Sequence, residues 1–416
     1  MTSFKLVAIV LAWSSVDIRA PTRIQERTGV RGANFARSGE EGALLFLFSE
    51  TLRVQRALGE YKDPNIGVAV GGVRTTDQIL GGRGKELAPE ARTQLAFLLA
   101  GGPYFAGSGY CRKAEVLRLA PDKPPAKHRE GVIWSYVDTR FPVPWNGPFS
   151  DTLPPCQAIV RVQRSGAEEF VACVPELWPK ELSPSNGALV PRFVMLTGIQ
   201  SPRWGKDRSF FLFETLPDNP FALRIGQPTG VVAMETLRPD SLVVLTSCGR
   251  CVRFNWIKDS WGKLYDLGVQ GVLGLARSAD GHTVYWESKD GLLMSGTSKD
   301  LTRIDERRSE GLALKGKTSI RVASDGERVW VVAAEELPKE TRAVLVSHKH
   351  APGQKWSPWE PLAALPPASS YVIEAHAETR EQVSTLYVAI TDRSAGKLGL
   401  YSIAAVAKES GSKAGQ

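Results

Sequence analysis

The chain has 416 residues, 43% hydrophobic and 23% charged, the balance of an ordinary globular protein, and its apolar runs are far too short to cross a bilayer as helices. Its 39 glycines, 27 prolines and 11 tryptophans favour many turns and short, aromatic-rich strands. The net charge of +8 is concentrated in residues 1–130, which hold 19 Lys/Arg against 13 Asp/Glu; no block of five or six like charges marks a nucleic-acid tail, so nucleic acid is disfavoured as a partner.

Five cysteines, an odd number in a chain this long, do not make a disulfide framework. Cys156 and Cys173 flank an expected hairpin, so one bridge between them stays open. At the N-terminus, MTSFKLVAIVLAWSSVDIRA has two readings. One is an export signal cleaved after Ala20. The other is a strand, Lys5–Trp13, that stays in the fold. One lysine makes a thin basic region, and Asp17, Ile18 and Arg19 crowd the cleavage position, so the strand is favoured. A cytoplasmic location goes with it, and an exported one is the alternative.

ALLFLFSETLRVQRAL (43–58) reads as a hairpin, with a second arm that could be helical. From 58 to 130 the pattern breaks, which predicts an insertion or an irregular blade. Within it, APEARTQLAFLLAGG (88–102) predicts a helix: Pro89 sits near its start, Leu95, Leu98 and Leu99 are its apolar positions, and Gly101-Gly102 stops it. PDKPPAKHRE (121–130) predicts a linker or exposed loop.

A regular series follows. AIVRVQRSGAEEFVACV (158–174), SFFLFETLPDNPFALRI (209–225), LVVLTSCGRCVRFNW (242–256), TVYWESKDGLLMSG (283–296), VWVVAAEELPKETRAVLVSH (329–348) and LYVAITDRSAGKLGLYSI (386–403) each place two short apolar runs around a turn. Their first runs begin 32 to 57 residues apart. That is the length of a four-stranded propeller blade, and too irregular for a solenoid stacked in register. Further runs precede four of the hairpins, at 231–237, 272–278, 319–325 and 371–378, and a fourth, polar run such as GKLYDLG (262–268) follows some of them. The expectation is an all-β propeller over 1–405, of seven blades with six as the alternative, carrying a helix-containing insertion. KESGSKAGQ (408–416) has the composition of a disordered tail, which is placed from 406 on. The ring must close, and Lys5–Trp13 beside 386–403 would close it.

Two local patterns resemble known repeats. ARSADGHTVYW (276–286) and VASDGERVWVV (322–332) are similar to the Ser-x-Asp-Gly segments of TolB-like propellers. That resemblance implies a tight Asp-Gly turn between two strands of a blade. GQKWSPWEPLAAL (353–365) resembles the Trp-Ser-x-Trp segment of bacterial lectin-type propellers, which implies an outer strand.

Chemistry-bearing motifs are sparse. Cys248-Gly249-Arg250-Cys251 is a CxxC with no second pair to complete a zinc tetrahedron, and it falls in a hairpin turn rather than at a helix start. His348 and His350 would share a strand face, with His376 the other histidine of that region, but a solvated strand end is the better reading and no metal or cofactor is expected. A sialidase-type hydrolase would carry Ser-x-Asp-x-Gly boxes, and Ser278-Ala279-Asp280-Gly281 departs from them. There is no G-x-S-x-G and no H-E-x-x-H. Trp256, Trp286 and Trp330 fall inside strand runs and read as core. Trp145, in PVPWNGPF, and Trp204, beside Arg203 and Lys206 in SPRWGKDR, fall in loops, where binding residues concentrate.

These readings add up to a non-catalytic scaffold, not an enzyme. Its end loops, with Trp145, Arg203, Trp204 and Lys206, would bind a protein partner presenting an acidic surface. The alternative is an exported carbohydrate-binding propeller. A glycoside hydrolase, which needs carboxylates and Arg side chains converging on a central channel, is the third reading.

Overall fold

The computed structural model describes residues 16–18, 20–37, 42–56, 107–121, 123–137, 156–164, 167–177, 189–200, 209–215, 230–238, 241–258, 260–278, 281–337, 341–350, 354–365, 371–380 and 383–407. The ordered elements among them are strands. β1 (Val16–Ile18) and β2 (Thr22–Thr28) come first. β3 (Val30–Arg37), β4 (Leu44–Arg56), β5 (Gly107–Ala120) and β6 (Lys123–Val137) form one antiparallel meander. β7 (Ala158–Arg164), β8 (Ala167–Leu177), β9 (Leu189–Gln200) and β10 (Ser209–Thr215) form the next.

Three separate sheets follow. The first holds β11 (Val231–Arg238), β12 (Ser241–Thr246), β13 (Arg250–Asn255), β14 (Ser260–Trp261) and β15 (Tyr265–Asp266). The second holds β16 (Val272–Ser278), β17 (Gly281–Glu287), β18 (Leu292–Ser298) and β19 (Glu306–Ala313). The third holds β20 (Lys317–Ser324), β21 (Arg328–Leu337), β22 (Thr341–His350) and β23 (Glu360–Leu365). β24 (Tyr371–Arg380), β25 (Val383–Asp392) and β26 (Lys397–Ala407) make the last sheet together with β1 and β2, both antiparallel to β26. The two ends of the described chain are thus hydrogen-bonded to each other, from Thr22 opposite Ser402 to Thr28 opposite Lys397. The closing role expected of Lys5–Trp13 falls to β1 and β2; Lys5–Trp13 itself lies outside the described residues.

The fold is an all-β propeller, but the expectation of seven blades, or six, is corrected: the strands form five sheets. Counting hairpins overcounts sheets here because the β3–β6 and β7–β10 meanders are fused. β3 pairs in parallel with β7 (Ala36 with Ile159) and β6 in parallel with β10 (Gly131 with Ser209), giving one closed eight-stranded unit. The hairpin read at 43–58 is instead one 13-residue strand, β4, with a register irregularity between Phe48 and Thr51. There is no helix among the described residues, so none that could cross a membrane, and the helix expected at 88–102 lies outside them. The segment read as a linker at 121–130 instead enters β6. Pro124 and Pro125 are tolerated there because they fall at a register irregularity, between the Arg118–Ala126 and Ala120–Lys123 pairs, where the ladder with β5 is interrupted. Of the 209–225 hairpin, the first arm is β10, paired back onto β9; residues 216–225 lie outside the described set.

The core lies between sheets, and strand alternation builds it. In β12, Leu242 and Val244 face one neighbouring sheet, while Val243 and Leu245 face the other. In β21, Trp330, Val332 and Ala334 pack on one side, and Val329, Val331 and Ala333 on the other. In β25, Leu386, Val388 and Ile390 alternate in the same way with Tyr387 and Ala389. Each such strand is apolar on both faces, which is why it reads as a continuous hydrophobic run. The Asp-Gly turn implied by the repeat resemblance is present at Asp325-Gly326. Gly326 takes φ +97°, a left-handed conformation suited to glycine. Asp325 Oδ1 accepts from the backbone amides of Glu327 and Arg328 at 3.0 and 2.7 Å. Its Oδ2 accepts from Thr379 and Ser384 of the next sheet, so the turn also clasps two blades.

One buried ion pair joins the β16–β19 and β20–β23 sheets. Lys349 and Glu310 have side chains only 2% and 4% exposed. Burial alone would raise the Glu310 carboxyl, but hydrogen bonds from Lys349 and Ser295, with the charges of Lys349 and Arg308, outweigh it and hold the group below the ordinary carboxylate range. Removing one partner of a buried pair strands a charge at a cost of about 3–5 kcal/mol, whereas replacing both with apolar groups is often close to neutral. Lys349→Met is therefore expected to lower unfolding stability in urea by about that amount, with most of the loss restored in the Glu310→Leu/Lys349→Met double variant.

Candidate functional site

The strands that begin each antiparallel set, β3, β7, β11, β16, β20 and β24, stand around a narrow central channel that is partly open to solvent. Phe35, Met234, Leu273, Leu275 and Val322 supply apolar wall. Asn34, Gln157, Arg321, Glu374 and His376 bring polar groups from four of the strands or the residue just before them.

These polar groups divide into two kinds. The amides brace the wall. Gln157 Oε1 accepts from the Val231 amide at 3.1 Å and from Cys173 Sγ at 3.6 Å. Asn34, with its side-chain nitrogen turned towards two carbonyls, donates to Ala33 and Cys156, each at 3.2 Å. Each amide thereby ties neighbouring strands of the ring together.

Arg321, Glu374 and His376 form the other kind. Arg321 Nη2 donates to Glu374 Oε1 at 3.2 Å, and Nη1 donates to the Ile320 carbonyl at 3.1 Å. The Glu374 side chain is 18% exposed and that of Arg321 40%. Burial pushes the Glu374 carboxyl above its ordinary range, against the opposing charge and hydrogen bond of Arg321. His376 lies two residues along β24 on the same face and stacks on Phe35, with ring centroids 5.7 Å apart. The set offers a cationic donor, an anionic acceptor and an imidazole beside an aromatic face. Glycoside hydrolysis in its usual form needs two carboxylates flanking the bond; among the described lining residues, Glu374 is the one carboxylate.

Trp145, Arg203, Trp204 and Lys206, the expected binding residues, lie outside the described residues. Among the described residues, no group of three or more His, Cys, Asp or Glu side chains comes together. His348 turns to Trp330, ring centroids 5.0 Å apart, with Arg328 Nη1 3.3 Å from its Nδ1. Lys349 points the other way, into Glu310. The CxxC is a hairpin turn. Gly249 there has φ +74°, and a Cβ on it would lie 2.2 Å from the Val269 carbonyl oxygen. Cys251 is buried in the core and Cys248 half-buried at the turn. Cys156 and Cys173 are free thiols, so the bridge between them is not formed. Trp286 and Trp330 are buried in the core, and Trp256 packs partly buried against it.

Sequence reasoning missed the channel set. Its signal was present in the runs ahead of the hairpins: Arg321 interrupts SIRVASD, and Glu374 and His376 interrupt YVIEAHAE. These polar side chains meet one another and the neighbouring strands at the channel: Arg321 of β20 bonds Glu374 of β24, and His376 stacks on Phe35 of β3.

No family model matches the chain, and no curated protein matches it. Solved structures with a similar fold include the catalytic domain of a Coprinopsis cinerea GH62 α-L-arabinofuranosidase, at 9% identity over 60% of this chain and 91% of that one, TM-score 0.33. Another is the Cps50 (Swd1) β-propeller domain of Myceliophteria thermophila, at 13% identity over 70% and 79%, TM-score 0.34. A third is from a study of GH130 mannoside phosphorylases and glycoside hydrolases targeting β-1,2-mannosidic linkages in Candida mannan, at 10% identity over 59% and 82%, TM-score 0.34. These likenesses concern the fold alone. The β-propeller stands, while membership of the TolB-like or lectin-type repeat families is not shown. The expectation that the chain is not an enzyme is corrected: glycoside hydrolases stand among its structural neighbours.

Two predictions follow from the motifs. Burial pushes the Cys156 and Cys173 thiols far up and Cys251 to about 12. Native alkylation with iodoacetamide, read by peptide mass spectrometry, should label Cys248 and spare those three; comparable labelling of any of them would contradict their placement. Burial, helped by the Arg328 charge, pushes His348 down to about 4. The unfolded chain, titrating near the ordinary 6.5, takes up this proton first as pH falls. His348 therefore contributes stability that is present above pH 6.5 and lost between 6.5 and about 4, an effect moderated by its partial exposure. His348→Gln should flatten the fall in urea stability across that window.

Proposed function

We propose that the channel binds a small polyhydroxylated ligand of the saccharide class. The observation that carries this reading is the Arg321–Glu374 pair, held 3.2 Å apart on a channel wall that also carries His376 stacked on Phe35. A sugar hydroxyl both donates and accepts, so a pair of neighbouring hydroxyls can accept from Arg321 and donate to Glu374.

The protein-partner reading rests on the loops around Trp145 and Trp204, which lie outside the described residues, and no feature of the channel favours it. Titration calorimetry against a panel of neutral mono- and disaccharides tests the saccharide reading. At least one should bind, and Arg321→Met and His376→Ala should each weaken it by about tenfold, roughly 1.4 kcal/mol, with circular dichroism and a cooperative unfolding transition showing that each variant is folded. Absence of binding across the panel, or equal affinities in parent and variants, would overturn the reading.

A further inference from the structure

We infer that the channel admits uncharged saccharides and rejects acidic ones, and that Glu374 is the residue that sets this preference. The inference rests on the saccharide reading above and concerns the charge its ligand can carry. Among the described residues lining the channel, Arg321 is the Lys/Arg cation and Glu374 the carboxylate, and they face each other across β20 and β24. Arg321 gives Nη2 to Glu374 and Nη1 to the Ile320 carbonyl, so its charge is balanced and two of its donor groups are already directed at the wall.

A uronic acid entering this channel would seek the guanidinium, the natural partner of a carboxylate. To reach it in bidentate fashion the ligand must displace Glu374. That would leave Glu374, mostly buried, without its partner, and set two carboxylates side by side. Rejection by an unpaired charge is a general route to specificity. A neutral hydroxyl pair meets no such penalty. It accepts from the remaining guanidinium donors and donates to the carboxylate while the ion pair stays in place. The amides do not alter this balance, because Asn34 and Gln157 are committed to backbone and thiol partners across the seams between strands.

The test uses pairs of ligands that differ only at C6: methyl β-D-glucopyranoside against methyl β-D-glucuronide, and methyl β-D-galactopyranoside against the corresponding galacturonide. Affinities are measured by titration calorimetry at pH 7 and low salt on the full chain. In the parent protein the neutral member of the bound pair should be preferred by about tenfold or more. Glu374→Gln frees Arg321 while keeping a hydrogen-bonding group of the same shape, so it should reverse or erase that preference by raising affinity for the acid. Arg321→Met/Glu374→Gln should lose the acid again, which shows that the gain runs through the guanidinium. Circular dichroism and unfolding midpoints establish that each variant is folded, and should Glu374→Gln fail to fold, Glu374→Met takes its place in the same measurements. A parent protein that prefers the acidic member, or a folded Glu374 variant with an unchanged neutral-to-acid ratio, would overturn the inference. Failure of both members of every pair to bind the parent protein, when other neutral sugars of the wider panel do bind, would count against it for these rings; failure of the whole panel removes the saccharide reading itself.

Discussion

Strands such as β4, β12, β21 and β25 are apolar on both faces, and no single sheet can bury two faces by itself. Each must be sandwiched between neighbours. In β4, Leu44, Phe46 and Phe48 pack towards β7 and β8, while Leu45 and Leu47 pack towards β25 and β26. Repeating that demand from sheet to sheet leaves one solution without an exposed apolar end: a ring that returns to its start. Closure is made by antiparallel pairing of β1 and β2 with β26, which joins the two ends of the described chain in one sheet. The clasps across the seams, Asp325 to Thr379 and Ser384 and Lys349 to Glu310, fix how the neighbouring sheets sit once the ring has closed.

The channel follows from the same constraint. A closed ring of twisted sheets has an axis that no sheet can fill, and the strand nearest it loses a packing partner on that side. Side chains pointing there are released from the demand for apolar contact, which is why Arg321, Glu374 and His376 appear in runs that are otherwise hydrophobic. The wall is nevertheless stiff. Gln157 to Val231 and Asn34 to Cys156 bridge between strands at channel level, so the polar groups are presented by braced secondary structure rather than by loops.

Much of this was legible in the residues. The hairpins at 242–256, 283–296, 329–348 and 386–403 and the runs before them became β11–β13, β16–β18, β20–β22 and β24–β26, because period-two alternation and Gly-bearing turns are local properties. The number of sheets was not legible, since the fusion of the β3–β6 and β7–β10 meanders is made by parallel pairs between residues far apart in the sequence, Ala36 with Ile159 and Gly131 with Ser209. PDKPPAKHRE was misread because proline content reports the absence of a donor, and a strand interrupted by a register irregularity does not need that donor there. The channel set was overlooked because Arg321, Glu374 and His376 match no motif; what they share is a position in the innermost strand, visible only once the ring is known.

Two buried carboxylates in this molecule form ion pairs of similar kind and meet opposite fates. Glu310 receives Lys349, Ser295 and Arg308 at once, its lone pairs are consumed, and its carboxyl is held below the ordinary range: a group so well satisfied has nothing left to offer a ligand and serves the seam between two sheets. Glu374 has Arg321 as its hydrogen-bonded partner, and that partner is itself 40% exposed to the channel; burial wins, and the carboxyl is pushed up. A structural carboxylate would gain from further donors at such a place, as Glu310 does from Lys349, Ser295 and Arg308. An under-satisfied acceptor beside an exposed guanidinium, on a braced wall facing open space, is the arrangement in which an incoming hydroxyl supplies what the fold withholds.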